Sequence, residues 1–149
     1  MHLARSGDLG ANEIIRLLDL KPHPEGGHYV QTYPPQPRSA ERPQSTAIYY
    51  LLQADEVSAW HKVDADEYWL WHAGSALVLT LSPPNGRGAN PHTLGPDLRA
   101  GQRPQMIVPA AHWQTAECLG AWCLVSCIVA PGFQFSGFQL APDDWRPEI

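Results

Sequence analysis

The sequence predicts an all-β fold of jelly-roll type, preceded by one short helix. Nine short runs rich in Val, Ile, Tyr, Trp and Leu are typical of strands. The 15 prolines and 12 glycines suit many tight turns between short strands. A length of 149 residues is that of one domain, so we expect a single domain over residues 1–149.

The helix is predicted over residues 12–20. Asn12 is a suitable N-cap, and Glu13 lies where a negative charge favours a helix N-terminus. Pro22 ends the helix, because proline disfavours helical backbone in the residue before it. Residues 1–10 are left as an N-terminal tail. Three apolar side chains fall on one stripe of this helix: Ile14, Leu17 and Leu18.

The predicted strands follow the helix as short segments separated by turns. Proline clusters mark these turns, among them the segments at Pro83-Pro84-Asn85-Gly86 and at Pro91. Residues 34–45, rich in Pro, Ser and Arg, are predicted to be a mobile loop. The strands span residues 27–33, 47–52, 57–63, 67–72, 76–81, 105–108, 113–117, 121–129 and 137–140.

Charge and hydropathy exclude several classes of partner. Ten basic and 15 acidic residues give a net charge of −5 with no basic run, so nucleic acid is not an expected partner. No apolar run approaches the roughly 18 residues that a membrane span needs. The N-terminus lacks the apolar core of a signal peptide. A soluble, cytoplasmic protein is therefore expected.

Three cysteines, Cys118, Cys123 and Cys127, occur near the C-terminal end of the chain. An odd number without CxxC spacing argues against a disulfide framework or a structural zinc site. We expect buried thiols that pack as small apolar groups. The alternative is a redox pair of Cys123 and Cys127, which share one face of a predicted strand.

A histidine and a glutamate mark the candidate pocket. Alternation along a strand places His61 and Val63 on one face, and Glu67, Trp69 and Trp71 on one face of the next strand. The short polar segment between the two strands predicts a tight hairpin. Such a hairpin brings His61 and Glu67 close together on the inner side of a barrel.

These residues resemble the first motif of the cupin superfamily. That motif has the form HxH, three or four residues, Glu, six residues, Gly, and His61, Glu67 and Gly74 match it. Val63 stands where the second His is expected. The resemblance implies a cupin double-stranded β-helix, which is a jelly-roll barrel.

The second cupin motif is only partly present. Its form is PxG, two residues, His, three residues, Asn, and Pro109 matches its first position. Ala111, Gln114 and Cys118 replace its Gly, His and Asn. Two of the four ligands that a metal-binding cupin uses are therefore absent, at Val63 and Gln114.

Further segments resemble the Cupin_5 family, a group of small single-domain cupins of largely uncharacterised function. The resemblance covers about residues 12–140 and implies a homodimer. This chain departs from the family pattern at Ala111, where a Gly is usual, and at Gln31, where an acidic residue is usual. The matching segments are residues 22–29, 46–52, 101–105, 108–110, 113–114 and 129–133.

The candidate metal ligands are His61, Glu67 and Gln114, with His112 as an extra candidate. Valine cannot ligate, and an amide oxygen is a weak ligand for transition metals, so this set would hold a divalent metal only weakly. No cofactor is expected apart from such a weakly held ion. The alternatives are a hydrogen-bonded polar cluster or a metal-free ligand pocket that uses the same groups.

Other residues are candidates for contact with a small-molecule ligand. Glu25 precedes Gly26-Gly27, where backbone can approach a ligand closely. Trp69 and Trp71 would form an aromatic wall, and Gln114 a polar one. On the neighbouring strand Tyr50 is a candidate general acid.

Three functions compete. The first is a metal-independent isomerase or epimerase of a sugar-like or other small polar substrate, with His61 as base, Glu67 as its orienting partner and Tyr50 as acid. The second, of equal standing, is a non-catalytic ligand-binding module. The third is a metal-dependent enzyme that uses His61, Glu67 and Gln114. Fold alone does not decide among them.

Overall fold

The computed structural model describes residues 9–35 and 41–149. Parts of the predicted tail (1–8) and of the predicted loop (36–40) lie outside the described residues. The described chain contains one α-helix and eleven strands in two antiparallel sheets, which confirms the all-β jelly-roll prediction. Within those ranges, no helix has the length and apolar character needed to cross a membrane.

The elements follow in chain order. They are α1 Ala11–Leu18, β1 Lys21–Pro22, β2 His28–Tyr33, β3 Thr46–Gln53, β4 Val57–Val63, β5 Asp66–Gly74, β6 Leu77–Ser82, β7 Asn90–Leu94, β8 Gln105–Val108, β9 Trp113–Cys118, β10 Trp122–Ala130 and β11 Phe138–Leu140. One sheet has the strand order β1-β2-β3-β10-β5-β8, and the other has the order β11-β4-β9-β6-β7.

The main apolar core lies between the two sheets. Tyr50 and Trp69 from the six-stranded sheet pack in one cluster with Leu77, Leu79 and Leu94 from the five-stranded sheet. All five side chains are at most 1% exposed. Burial of each such side chain contributes about 1.5–3 kcal/mol, so this cluster is what holds the sheets together.

The helix covers the outer side of the six-stranded sheet. Ile14 is 3% exposed and packs in a cluster with Leu51 and Trp122. Two predictions here were wrong. The N-cap is Gly10 rather than Asn12. Leu17 of the predicted apolar stripe is 64% exposed, because the helix packs on the sheet through Ile14 with Ile15 and Leu18 beside it.

Two short edge strands were missed by the sequence prediction, β1 and β7. The segment at Pro91 is not a turn, since Pro91 lies within β7 and is paired with Thr80 of β6. Proline cannot donate a ladder hydrogen bond, but β7 is the edge of its sheet, where one side of the strand needs no partner.

The cysteine prediction was wrong in part. Cys118 at the end of β9 and Cys123 in β10 form a disulfide, with their Cα atoms 5.9 Å apart, well within the usual range. This bond joins the two sheets at one end of the barrel. Cys127 is the buried free thiol. The five-residue spacing of the pair gave no signal, because the sharp turn between β9 and β10 is what brings the two sulfurs together.

Candidate functional site

A small cavity opens between the two sheets at the end of β4 and β10. Its volume is about 50 Å³, which is room for a few water molecules or one small chemical group. Buried polar side chains line its inner part, and aromatic rings line its outer part, where Phe135 is 57% exposed. The buried polar lining comprises His23, Glu25, Thr46, His61, Glu67 and Cys127, the exposed Gln31 also lines the cavity, and the aromatic lining comprises Tyr29, Phe133 and Phe135.

Glu25 reaches the cavity through a tight loop between β1 and β2. Gly26 and Gly27 have φ angles of 109° and 77°, which glycine adopts readily. A Cβ atom on Gly26 would clash with the carbonyl oxygen of Val57. The Glu25 carbonyl also accepts a 2.8 Å hydrogen bond from the Ala59 amide. These contacts fasten the loop against β4, so Glu25 is only 7% exposed.

His61 of β4 forms a buried ion pair with Glu25. The His61 Nε2 atom lies 2.9 Å from Glu25 Oε2, and His61 Nδ1 lies 2.7 Å from the carbonyl oxygen of Ala59. Both partners are acceptors, so a doubly protonated imidazolium satisfies both nitrogens at once. Burial opposes that charge, but the charge and hydrogen bond of Glu25 prevail and raise the pKa of His61 to about 9.

The contact with His61 shifts the pKa of Glu25 in the opposite direction. Burial favours its neutral form, but the charge and hydrogen bond of His61 outweigh burial, so the pKa of Glu25 is lowered. Glu25 and His61 therefore form a charge-matched pair at neutral pH.

Glu67 of β5 has a different set of partners. Gln114 Nε2 donates a 2.9 Å hydrogen bond to Glu67 Oε1, and the Trp69 indole donates a 2.9 Å hydrogen bond to Gln114 Oε1. The indole can only donate, so it determines which end of the Gln114 amide faces Glu67. The Cys127 thiol also hydrogen-bonds to Glu67. All three of these supporting groups are neutral.

The result is a carboxyl group that titrates near neutrality. Burial raises the pKa of Glu67 to about 7, and the negative charge of Glu25 contributes in the same direction. The charge of His61 and the hydrogen bonds from Gln114 and Cys127 offset only part of this rise. A buried acid in a cavity with such a pKa is typical of groups that transfer protons.

His23 completes the polar lining. Its Nδ1 atom accepts a 3.1 Å hydrogen bond from the Glu25 backbone amide. Burial lowers the pKa of His23, and the positive charge of His61 lowers it further against the opposing charge of Glu25. His23 is therefore neutral at pH 7, with its ring proton on Nε2.

The structure separates the predicted site residues into two groups. His61, Glu67 and Glu25 line the cavity, and Gln114 supports Glu67 from behind. Trp69 is a core residue that orients Gln114, and the Trp71 indole donates to the Ser75 carbonyl instead of forming a wall. The Tyr50 hydroxyl donates to the Gly26 carbonyl, and Tyr50 is not among the residues that line the cavity.

Two features escaped sequence reasoning. The carboxylate in contact with His61 belongs to Glu25, whereas the hairpin had suggested Glu67. The burial of the His23 side chain beside Glu25, where it is 6% exposed, was not predicted either. The only signal in the sequence was the pair of glycines after Glu25, which permits a close backbone approach without naming what is approached.

Family membership follows from comparison with known proteins. The sequence pattern of the family described as Cupin_5: Cupin superfamily (DUF985) matches residues 12–141. The chain belongs to this family. No curated protein matches the sequence of this cupin.

Solved structures show the same fold. A protein from Shewanella oneidensis is 36% identical, with a TM-score of 0.83, and the match covers 89% of this cupin and 85% of that chain. A hypothetical protein from Leishmania major is 27% identical, with a TM-score of 0.78 and coverage of 89% and 88%. A dTDP sugar isomerase from Desulfovibrio desulfuricans G20 has a TM-score of 0.55 at 14% identity, over 80% of this cupin and 83% of that chain. Family and fold together support a small-molecule cupin.

The donor groups around the cavity differ from those of a metal-binding cupin. Some cupin neighbours hold a metal, as the Mn(II) centres of Bacillus subtilis oxalate decarboxylase show. Here Val63 has no donor atom, and both amide atoms of Gln114 are engaged, by Trp69 and Glu67. His112 lies in the turn before β9 and does not line the cavity. Within residues 9–35 and 41–149, no three His, Cys, Asp or Glu side chains are arranged to hold a metal ion. The residues present do not fit a cupin metal site.

Proposed function

We propose that this cupin catalyses metal-independent proton transfer, as an isomerase or epimerase of a small polar, sugar-like substrate. The observation that carries the proposal is Glu67, a buried carboxyl group that titrates near neutral pH in the wall of a cavity. The charge-matched pair of His61 and Glu25 lines the same cavity. The sugar isomerase among its structural neighbours shows only that the fold accommodates such chemistry.

In this proposal Glu67 acts as the base. Its carboxylate removes a proton from a substrate carbon next to a carbonyl group, so that a C–H bond breaks and the Glu67 O–H bond forms. The electron pair moves onto the carbonyl oxygen, where the positive charge of His61 and the Nε2–H of His23 stabilise it. Glu67 then returns the proton to the former carbonyl carbon, while the hydroxyl proton of the neighbouring carbon passes to the former carbonyl oxygen; a C–H bond forms, the Glu67 O–H bond breaks, and the carbonyl group has moved by one carbon.

This assignment exchanges the roles that the sequence suggested. His61 was the predicted base, but a base needs a free lone pair, and both His61 nitrogens face acceptors. The geometry favours His61 as a fixed positive charge and Glu67 as the group that gains and loses a proton. Neutral hydrogen-bond donors hold Glu67 in place without preventing that change.

Hydrogen exchange with solvent tests the proposal. A panel of small aldoses, ketoses and hydroxy-carbonyl compounds is incubated with the protein in D2O, and mass spectrometry measures deuterium gained at carbon. We expect exchange with the wild type and a loss of about 10²- to 10⁴-fold in Glu67→Gln, since this substitution removes the base. Glu117→Gln is the matched control, because it removes an exposed carboxylate on strand β9 of the other sheet.

Exchange that survives in Glu67→Gln would show that Glu67 is not the base. Binding of a panel member without exchange would favour the second candidate, a non-catalytic ligand-binding module. The homodimer that the resemblance implies stays a prediction, and a light-scattering mass of one 16.5 kDa chain would contradict it.

A further inference from the structure

The positive and negative charges that line the cavity do not balance when Glu67 is ionised. The positive charge of His61 is matched by Glu25 at 2.9 Å, and His23 is neutral. Glu67 faces Glu25, His61, Gln114 and Cys127, and its direct hydrogen-bond partners, Gln114 and Cys127, are neutral. When Glu67 ionises, the cavity therefore gains a negative charge that has no cation of its own.

The lining residues offer no site for an anionic ligand group. Among the described residues that line the cavity there is neither a lysine nor an arginine. A phosphate or carboxylate on the ligand would be buried next to Glu25 and Glu67, and burial of like charges without a partner is strongly unfavourable. This argues against a nucleotide or phosphorylated group inside the cavity.

The outer part of the cavity suits a cation. Tyr29, Phe133 and Phe135 line it, and the centroids of the two phenylalanine rings are 4.9 Å apart, with the rings nearly perpendicular. The face of an aromatic ring attracts a cation, and the attraction grows when water is displaced. Aromatic rings next to an uncompensated carboxylate are a combination that recognises ammonium groups.

We propose that the ligand of this cavity carries a protonated amine, which pairs with Glu67 and lies against the rings of Tyr29, Phe133 and Phe135. This inference deepens the proposed function and rests on it for the choice of site. The substrate class narrows from small polar compounds to small amines that also carry the carbonyl group that the proposed reaction needs, such as amino sugars. The cavity volume of about 50 Å³ restricts the part that enters to a few atoms.

Three probes of similar size and different charge test the proposal. They are ethanolamine (cation), ethylene glycol (neutral) and glycolate (anion), each titrated to about 100 mM because ligands of so few atoms bind weakly. NMR follows the indole N–H of Trp69, which is linked to Glu67 through Gln114. We expect saturable shifts with ethanolamine only, and binding about 10- to 100-fold weaker in Glu67→Gln than in the control Glu117→Gln.

A second measurement needs no variant. Ethanolamine should bind the wild type about 10-fold more tightly at pH 8 than at pH 6, because Glu67 ionises in this interval while Glu25 and His61 keep their charges. Equal or tighter binding of glycolate or ethylene glycol would overturn the proposal. So would the absence of saturable ethanolamine binding.

The two proposals fail in different ways. If neutral sugars exchange hydrogen through Glu67 but ethanolamine does not bind, only the inference about the amine is lost. If ethanolamine binds through Glu67 but no compound exchanges hydrogen, the amine inference stands and the catalytic proposal fails.

Discussion

Glu25 and Glu67 are equally buried, each 7% exposed, yet they differ in their readiness to ionise. Glu25 comes from a glycine-rich loop and contacts the imidazole of His61 directly, at 2.9 Å. Glu67 comes from a regular strand and is held by the neutral groups of Gln114 and Cys127. The pKa of Glu25 is lowered, whereas the pKa of Glu67 is raised to about 7.

The difference shows that burial alone does not decide the state of a carboxyl group. Burial is the largest effect at both residues and favours the neutral form at both. A charged partner in direct contact reverses it at Glu25, and neutral hydrogen bonds fail to reverse it at Glu67. One carboxylate is therefore structural, and the other is free to exchange a proton.

The largest expected effect comes from removing the cation that Glu25 depends on. His61→Ala leaves Glu25 buried next to no positive partner, which costs about 3–5 kcal/mol of unfolding free energy. Urea denaturation at pH 7 measures this cost. In His61→Ala/Glu25→Gln the loss should be smaller than the sum of the single losses, because the pair acts as a unit. A loss below about 1 kcal/mol in the single variant would show that the pair is not a buried ion pair.

The second prediction concerns the pH dependence of the unfolding free energy, which distinguishes Glu67 from the ion pair of Glu25 and His61. The folded-state pKa of Glu67 lies above its ordinary value of 4.5, so the folded protein binds this proton more tightly than the unfolded chain does. The stability that Glu67 contributes is complete below pH 4.5 and is lost as the pH rises through 7. We expect a loss of roughly 3 kcal/mol over this interval, measured by urea denaturation at a series of pH values.

Glu67→Gln should remove that loss, and Glu117→Gln should retain it. A further decline belongs to His61, whose contribution is complete below pH 6.5 and is lost as the pH rises through about 9. This second decline should remain in Glu67→Gln. The assignment to Glu67 would be contradicted if stability changed between pH 4.5 and 7 by the same amount in Glu67→Gln as in Glu117→Gln.

The smallest expected effect comes from the neutral partner of Glu67. Gln114→Leu keeps the approximate volume of the side chain but leaves the Trp69 indole and Glu67 without their shared partner. We expect a loss of about 2 kcal/mol in unfolding free energy. The pKa of Glu67, measured by ¹³C NMR of its carboxyl carbon, should rise further. Gln105→Leu, which alters an exposed glutamine on β8, should change neither quantity. An unchanged Glu67 pKa in Gln114→Leu would show that this hydrogen bond does not tune the carboxyl group.

Most of the fold was predictable because the residue patterns that indicate its strands depend on neighbours along the chain. Alternation along β4 correctly placed His61 and Val63 together on the buried face of the strand. The two strands that were missed, β1 and β7, are short edge strands, and Pro91 hides the second of them. Edge strands bury little surface, so their sequences carry a weak pattern.

The location of the site was predictable from the sequence, but the contacts between its side chains were not. Sequence spacing correctly put His61 and Glu67 at one cavity. The contacts that determine their chemistry come from elsewhere in the chain: Glu25 from a loop before β2, and Gln114 from β9. Similarly, the Cys118–Cys123 bond depends on how β9 turns into β10, which residue spacing did not reveal.

The sequence by itself determined the strand pattern, the family resemblance and the two residues that mark the cavity, because each depends on neighbours along the chain. Only the tertiary structure decided which glutamate pairs with His61 and which one titrates near pH 7. Those properties arise from burial and from charges brought within hydrogen-bond distance by sheet packing, and no local pattern encodes them.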